Sequence, residues 1–426
     1  MYNTAKKEKA ILILVEIKRG QWSNEVLAQE FRSLVLSAGI EVEDLVMLKR
    51  KEIYPRLYIG KGNVEELTGF IKDSQANVVI FNNNLSFNQQ RNLEEAFGVK
   101  TIDRTQLILD IFAACANTQE GRLEVELAQL QYLKPRLRGK GTMMSRLGGG
   151  IGTLGPGETK LEVDQRKISE RIIRLKREIK DIRQHRQVMR KKRQKQKVCV
   201  CSLVGYTNAG KSTLFNALTE STEKVSSRLF TTLDAVSHSF LLHGTLNVIL
   251  SDTVGFIYDL PPYLVEAFKA TLEELQFADV LLHVVDASSA DIERMRESVD
   301  SILEELSLNE KPIVLVFNKI DNLKEEDLSA LRDKYFGAIF ISAKERINLD
   351  QLREELYKHL FEDMQEVIVR VPFSMMEAAN YIHKNCEVIK VDYKDEDAVY
   401  LIKVSNQNLS YLTKKGFEIE PSKKKG

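Results

Sequence analysis

Over the first hundred positions, apolar residues switch between two spacings. AILILVEI is a short continuous apolar run, which predicts a buried strand. EVLAQEFRSLVLSAG then places Val26, Leu27, Phe31, Leu34, Val35 and Ala38 at helical spacing, and Gly39 ends the pattern. DLVMLKR, VVIFNN and KTIDR predict three more strands. YIGKGNVEEL predicts a loop leading into a helix that ends near Ser74, and SFNQQRNLEEAFG a helix ending at Gly98. This alternation predicts a small α/β domain over residues 1–105 with a mostly parallel sheet. The turn Gly60–Gly62 is glycine-rich enough to approach a phosphate. It lacks a full phosphate-binding motif, and a plain strand-to-helix turn is the simpler reading.

From Thr105 to Leu137 the pattern is helical, with Leu123, Leu127, Leu130 and Leu137 at heptad steps. A second helical stretch from about Glu158 to Gln196 repeats the steps at Leu161, Ile168, Ile172, Leu175, Ile179, Ile182 and Met189. Residues 106–197 therefore predict an antiparallel helical hairpin. Its tip, about 138–160, reads RGKGTMMSRLGGGIGTLGPGETK, a longer connection than helical hairpins need.

Residues 198–362 alternate strands and helices again and predict a doubly wound sheet whose ligand lies at the C-terminal strand ends. Within them, YLVEAFKATLEELQF predicts a helix and AIFISAK the last strand. Residues 363–426 predict a small α+β domain, with strands at EVIVRVPFS, EVIKVDY and AVYLIKV around a helix EAANYIHKNC, and a basic tail, PSKKKG.

Charge changes the picture at the hairpin. Between Lys134 and Gln196 there are 20 Lys and Arg against 6 Asp and Glu, a local excess of 14 in a chain whose net charge is +1. A basic arm on an otherwise acidic protein predicts a polyanionic partner. At the tip, Gly148, Gly149, Gly150 and Gly155 allow close backbone approach, and Arg138, Lys140, Arg146 and Lys160 neutralise phosphate, which suits insertion into folded RNA. No apolar run approaches the roughly 18 residues of a membrane span. The 4 cysteines form no disulfide framework, and Cys199 and Cys201 lack the partners a metal site needs. A reducing, cytoplasmic setting is expected.

The chemistry centres on Gly205, Tyr206, Thr207, Asn208, Ala209, Gly210, Lys211, Ser212 and Thr213. They read G-x-x-x-x-G-K-S-T between a strand and a helix. Backbone amides of such a loop cradle phosphates, its lysine reaches the β- and γ-phosphates, and its serine offers a hydroxyl to Mg²⁺. Asp252, Thr253, Val254 and Gly255 follow a strand. Asp252 would hold Mg²⁺ or a water on it, and the Gly255 amide would meet the γ-phosphate. Asn318, Lys319 and Asp321 also follow a strand. A carboxylate there accepts hydrogen bonds from guanine N1–H and the exocyclic amine, neither of which adenine has. Ser342, Ala343 and Lys344 would brace that carboxylate and donate an amide to guanine O6. Thr231 and Thr232 stand where a hydroxyl sensing the γ-phosphate is expected, and His238 and His283 read as strand residues.

The nucleotide domain resembles the TRAFAC-class GTPases. SRLFTTLDAV is similar to the first switch of their Obg–HflX branch, which implies Thr232 as a magnesium ligand beside Ser212 and Asp252. RLGGGIGTLGPGETKLEVDQR resembles the glycine-rich signature of HflX GTPases, and YIGKGNVEEL and DRTQLILDIFA resemble segments of that family's N-terminal domain. The resemblance implies GTP as substrate, GDP as product and Mg²⁺ as cofactor. It also implies a monomeric, cytoplasmic and partly ribosome-bound factor that binds the large ribosomal subunit and its rRNA and splits stalled or idle ribosomes under stress.

Phe256 stands where Ras-like GTPases carry the glutamine that orients water, so Lys211, Thr232 and Gly255 are left as the catalytic candidates, with Arg228 a weak substitute. Slow intrinsic hydrolysis, raised by a partner, is expected. Two alternatives stay open. One is a signalling switch that binds a protein through its arm. The other is an RNA remodeller with a second nucleotide site near Gly60–Gly62.

Overall fold

The computed structural model describes residues 8–16, 23–147, 160–196, 199–221, 230, 236–243, 246–253, 255–257, 272–361, 364–394, 396–404 and 406–421; within helices, the side chains of 138–147, 160–161, 183, 185–196, 273, 376–378, 384–385 and 406–407 lie outside that description. The first sheet consists of β1 (Lys9–Glu16), β2 (Glu41–Lys49), β3 (Val78–Phe81) and β4 (Lys100–Ile102), ordered β2-β1-β3-β4. All its pairings are parallel. Helices α1 (Asn24–Ser37), α2 (Lys61–Asp73), α3 (Phe87–Phe97) and α4 (Arg104–Cys115) cover it. The period-2 alternation of a strand buried on both faces is visible in β1. Ala10 and Leu12 enter one core with Phe31 of α1 and Phe112 of α4, while Ile11 and Ile13 enter a second with Leu67 of α2 and Leu93 of α3.

The helical arm is α5 (Gln119–Leu147) and α6 (Lys160–Gln196). Leu123 and Leu127 pack with Ile172, Leu175 and Ile179, and Leu130, Ile168 and Ile182 extend the seam, so the heptad pattern marks a real contact. Glu126 and Arg171 pair across it through two hydrogen bonds of 2.7 Å. The other face of α5 belongs elsewhere: Val125, Ala128 and Tyr132 complete the core shared by α1 and α4. The arm is thus rooted in the first domain by the helix that also carries its own seam.

The second sheet is ordered β10-β9-β8-β5-β7-β6, from β5 (Cys199–Gly205), β6 (Val236–Leu242), β7 (Leu246–Asp252), β8 (Val280–Asp286), β9 (Ile313–Asn318) and β10 (Ile339–Phe340). It is parallel except for β6, which pairs antiparallel with β7. Its helices are α7 (Lys211–Thr219), α8 (Ile292–Glu305), α9 (Glu325–Lys334) and α10 (Leu349–Phe361). Strand β5 lies between β7 and β8, so the loop after it opens at the middle of the sheet. The third sheet, β12-β13-β11-β14, is antiparallel and built from β11 (Gln365–Pro372), β12 (Glu387–Tyr393), β13 (Asp397–Val404) and β14 (Glu418–Pro421). It carries α11 (Met376–Asn385) and α12 (Asn406–Lys414).

The structure corrects several expectations. The helical region after residue 104 is two helices, broken at Ala116–Thr118, where the Thr118 hydroxyl accepts the Gly121 amide 3.0 Å away and starts α5 afresh. The tip is shorter than about 138–160: α5 runs to Leu147, so Arg138, Lys140 and Arg146 stand on helical backbone, and Lys160 opens α6. Gly139 and Gly141 each cost about 1 kcal/mol in a helix, but the Arg, Lys, Met and Leu around them are strong helix formers. Of YLVEAFKATLEELQF, Glu273–Phe277 is a 3-10 turn, and residues 258–271 lie outside the described residues. The strand expected over AIFISAK shortens to Ile339–Phe340, and α12 and β14 have no counterpart in the sequence reading. The tail 422–426 lies outside the described residues.

Leu175 is fully buried in the arm seam. Leu175→Ala should therefore cost about 3 kcal/mol locally. Amide exchange in α5 and α6 is expected to accelerate while β5 and β8 keep their protection.

Candidate functional site

The loop leaving β5 is shaped by two positions that exclude a side chain. Gly205 has φ +150°, and a Cβ there would stand 2.2 Å from the Val284 carbonyl oxygen; Gly210 has φ +91°, and its Cβ would stand 2.2 Å from Asn318 Nδ2. Asn208 also takes a left-handed φ of 61°, which asparagine tolerates better than most residues. The loop then enters α7 at Lys211, with Gly210 as the N-cap.

Lys211 is buried, and its Nζ donates to the carbonyls of Gly205 (3.0 Å) and Tyr206 (2.8 Å). Burial lowers its pKa to about 8, against the opposing pull of Asp252. A Cβ on Gly255 would lie 2.9 Å from that Nζ and 2.9 Å from Thr207 Cγ2, so only glycine lets this segment approach the loop so closely. The Thr207 Oγ1 is buried and has no hydrogen-bond partner among the described residues. Two backbone bonds stitch the segments together: Thr207 N to the Phe256 carbonyl at 2.7 Å, and Phe256 N to the Gly205 carbonyl at 3.1 Å. The outcome places one ammonium and one hydroxyl without a hydrogen-bond partner among the described residues beside the N-terminus of α7, a donor set suited to phosphate oxygens.

Beside it the Ser212 Oγ donates to Asp252 Oδ2 at 2.8 Å. A hydroxyl and a carboxylate are hard oxygen ligands of the kind Mg²⁺ takes alongside phosphate and water. Among the described residues no group of three His, Cys, Asp or Glu gathers as a transition-metal site would require. Burial pushes the half-buried Cys199 thiol up to about 12, which keeps it protonated.

A second pocket wall forms where β9 ends. Asn318 is buried and ties two loops together: its Nδ2 donates to the Ala209 carbonyl (2.9 Å), and its Oδ1 accepts the Ala343 amide (2.9 Å). The Ser342 hydroxyl donates to Asp321 Oδ1 at 2.6 Å and accepts the Glu345 amide at 3.1 Å, which aims the exposed Asp321 carboxylate. Lys319 takes a left-handed φ of 66° and pairs with Asp286 at 2.7 Å. Lys344 is exposed and pairs with Glu345 at 3.0 Å.

The structure thus brings together the residues named at 205–212, Asp252, Gly255, Asn318, Asp321, Ser342 and Ala343. Thr213 follows on α7, and the buried Thr253 uses its hydroxyl to bond the Leu203 carbonyl at 2.8 Å. Phe256 turns away from the phosphate pocket into a core with Val204, Tyr206, Leu272 and Leu275, which explains an apolar side chain there. His238 and His283 lie on β6 and β8; His283 is buried, with Nδ1 3.5 Å from Asp300. Val254, Arg228, Thr231, Thr232, Gly148, Gly149, Gly150 and Gly155 lie outside the described residues, as do the side chains of Arg138, Lys140, Arg146 and Lys160.

Sequence reasoning missed three residues. Phe230, two positions before Thr232, stacks edge-on against Phe112 of α4 with ring centroids 4.5 Å apart. Ile257, two positions after Gly255, enters the same core. Glu30 of α1 accepts a hydrogen bond from the Tyr206 hydroxyl. No local signal marks contacts between positions so distant in the chain.

Three family models match the chain. They are described as GTP-binding GTPase N-terminal, over residues 25–113; GTP-binding GTPase Middle Region, over 115–193; and 50S ribosome-binding GTPase, over 200–319. The chain is 45% identical over 390 residues to a GTPase HflX of Caldanaerobacter subterraneus subsp. tengcongensis, spanning 92% of this chain and 89% of that one. It is 41% identical over 367 residues to the GTPase HflX of Escherichia coli, spanning 86% of each. Among solved structures it is similar to a GTP-binding protein from the archaeon Sulfolobus solfataricus in complex with GDP, at 25% identity and a TM-score of 0.44, covering 83% of this chain and 99% of that one.

The glycines make a direct test. Gly39 and Gly210 both have left-handed φ, but a Cβ on Gly39 meets nothing within 4 Å. Gly39→Ala should cost about 1 kcal/mol, the backbone term alone. Gly210→Ala should cost about 3 kcal/mol or more, because strain and the collision with Asn318 add. Chemical denaturation of both variants checks the difference.

Proposed function

The chain belongs to the HflX family of GTPases, and from that premise we propose that it binds the large ribosomal subunit through its helical arm and, in its GTP state, separates stalled or idle ribosomes into subunits under stress. It binds GTP and GDP as its family does. In this reading Asp321 accepts the guanine N1–H and amine, and the Ala343 amide, held by Asn318, lies beside the base. Lys211 and the amides of Asn208 and Gly210–Ser212 would meet the phosphates, those of Thr207 and Ala209 being bonded within the protein. Ser212 and Asp252, with Thr232, would hold Mg²⁺, which when bound neutralises charge between the β- and γ-phosphates.

Hydrolysis requires an oriented water, and the buried Phe256 has no polar atom to orient one. Intrinsic turnover is therefore slow, and the large subunit raises it by ordering the two loops that carry Phe230 and Ile257. The observation that most favours this reading is the shared core. Val125, Ala128 and Tyr132 at the arm's root pack in the same cluster as Phe230 and Ile257. A force on the arm and the arrangement of the nucleotide loops thus act on one set of contacts. The basic excess of the arm supplies attraction for rRNA. A monomer acting in the cytoplasm fits this reading, and no described helix is long and apolar enough to cross a membrane.

GTP turnover should rise at least tenfold when large subunits are added; equal rates would sink the proposal. Neutralising Arg138, Lys140, Arg146 and Lys160 together should weaken subunit binding. It should also reduce the salt dependence by about 0.7 log unit per lost phosphate contact, seen by sedimentation at several salt concentrations. An unchanged salt slope would point to a protein surface instead. Asp321→Asn should move base preference from guanine toward xanthine, because an amide donates where the carboxylate accepted; nucleotide competition binding reads this out.

A further inference from the structure

The phosphate loop is held from outside its own sheet. Glu30 lies on α1, and its side chain is only 8% exposed. One of its oxygens accepts from Arg104 Nη2 at 2.7 Å, and Arg104, 1% exposed, places its Nη1 on Asn82 Oδ1 at 2.5 Å. The other oxygen accepts the Tyr206 hydroxyl. A buried ion pair is expensive to desolvate and adds little net stability, so its use lies in fixing geometry. Here the geometry fixed is that of a carboxylate whose second oxygen reaches across a domain boundary.

Tyr206 is the residue through which such a hold would matter. Its carbonyl accepts from Lys211 Nζ at 2.8 Å, and its neighbours Gly205 and Thr207 make the two backbone bonds to Phe256. A shift of this residue would move the ammonium, the first amides of the loop and the Gly255–Phe256 segment together. The α1 side of the loop is not tightly packed. Val26, Gln29 and Ser33 face Thr207 and Asn208 across a cleft of about 310 Å³. With that gap beside the loop, the Tyr206–Glu30 bond is a discrete point of attachment on this side.

We propose that Glu30, held by Arg104, is a positioning residue for the phosphate loop, acting through the Tyr206 hydroxyl to keep the nucleotide-binding conformation. The inference rests on the nucleotide-site reading given above and adds to it a residue of the N-terminal domain. Glu30 touches no reacting atom. Its effect is on how long nucleotide stays bound.

A double-mutant cycle on the full chain tests it, using GDP release followed with a fluorescent GDP analogue. Tyr206→Phe removes one hydroxyl and leaves the Glu30–Arg104 pair intact, so the fold is preserved. GDP release is expected to quicken about tenfold, the scale of one charge-assisted hydrogen bond. Glu30→Gln should quicken it by a similar factor, and the double variant by no more than the larger single effect. Release within twofold of wild type in Tyr206→Phe would overturn the proposal. So would an equal effect of Tyr206→Phe in wild type and in the Glu30→Gln variant, which would place its role in the local core. A drop in melting temperature with no change in release marks plain packing and also overturns it. If wild type binds no GDP, the underlying site reading fails as well, whereas a wild type that binds and variants that do not differ reject only the role of Glu30.

Discussion

Phe230 and Ile257 leave the domain they are built on and complete the core of another. Both belong to the core cluster that holds Phe112 of α4 and Val125, Ala128 and Tyr132 of α5, and Phe230 meets the Phe112 ring directly. The constraint is hydrophobic and non-directional, so it does not specify a pathway. What it does is make three things share one buried volume: the position of each nucleotide loop and the root of the basic arm. Interiors packed at native density respond to a change in one member by displacing the others.

The polar node beside this core makes the arm's root stiff. Asp103 is fully buried. It caps α4 by accepting the Gln106 amide at 2.8 Å, accepts the Tyr132 hydroxyl at 2.9 Å, and pairs with Arg136 at 2.9 Å. Burial pushes its carboxyl up, and the Gln106 amide and the Arg136 charge pull the other way. Arg136 also lies 3.4 Å above the Tyr132 ring and reaches the Leu85 carbonyl. One carboxylate thus joins the start of α4, the first arm helix and the loop after β3. Such a network is costly when incomplete and rigid when satisfied. Glu30 and Arg104 repeat the device on the other side of α4, with the phosphate loop as the third partner.

What can be read from the sequence are features whose physics is local. The phosphate loop, its flanking strand and helix, the alternation of β1 and the heptads of the arm each follow from residues within about ten positions, so Lys211, Asp252 and Asn318 are legible. Phe256 is legible as a departure from a pattern, but its burial against Leu272 and Leu275 is not. Tyr206 and Glu30 are 176 positions apart, and nothing short of the fold brings them together. The tip misleads for a different reason. Gly139 and Gly141, weighed one by one, are unfavourable in a helix, but the good helix formers around them decide the sum. At Glu273–Phe277 the chain winds as a 3-10 turn where the sequence pattern predicts a helix.

The energy scale of the shared core bears on what the arm can transmit. Burying a phenylalanine side chain is worth about 2 kcal/mol, and an isoleucine about the same. A ligand shifts a conformational equilibrium only by its difference in affinity for the two states. If the nucleotide-dependent arrangement withdraws Phe230 alone from contact with Phe112, the arm's root changes its preference by about thirtyfold. With Ile257 withdrawn as well, the change approaches about a thousandfold. The first lies within the range of coupling energies typical of allosteric proteins, about 1–3 kcal/mol, and the second lies somewhat above it. The two side chains are therefore large enough to link phosphate recognition to the arm without any polar relay. On the proposed reading, polar contacts such as Tyr206–Glu30 would have a narrower task, holding the loop in register.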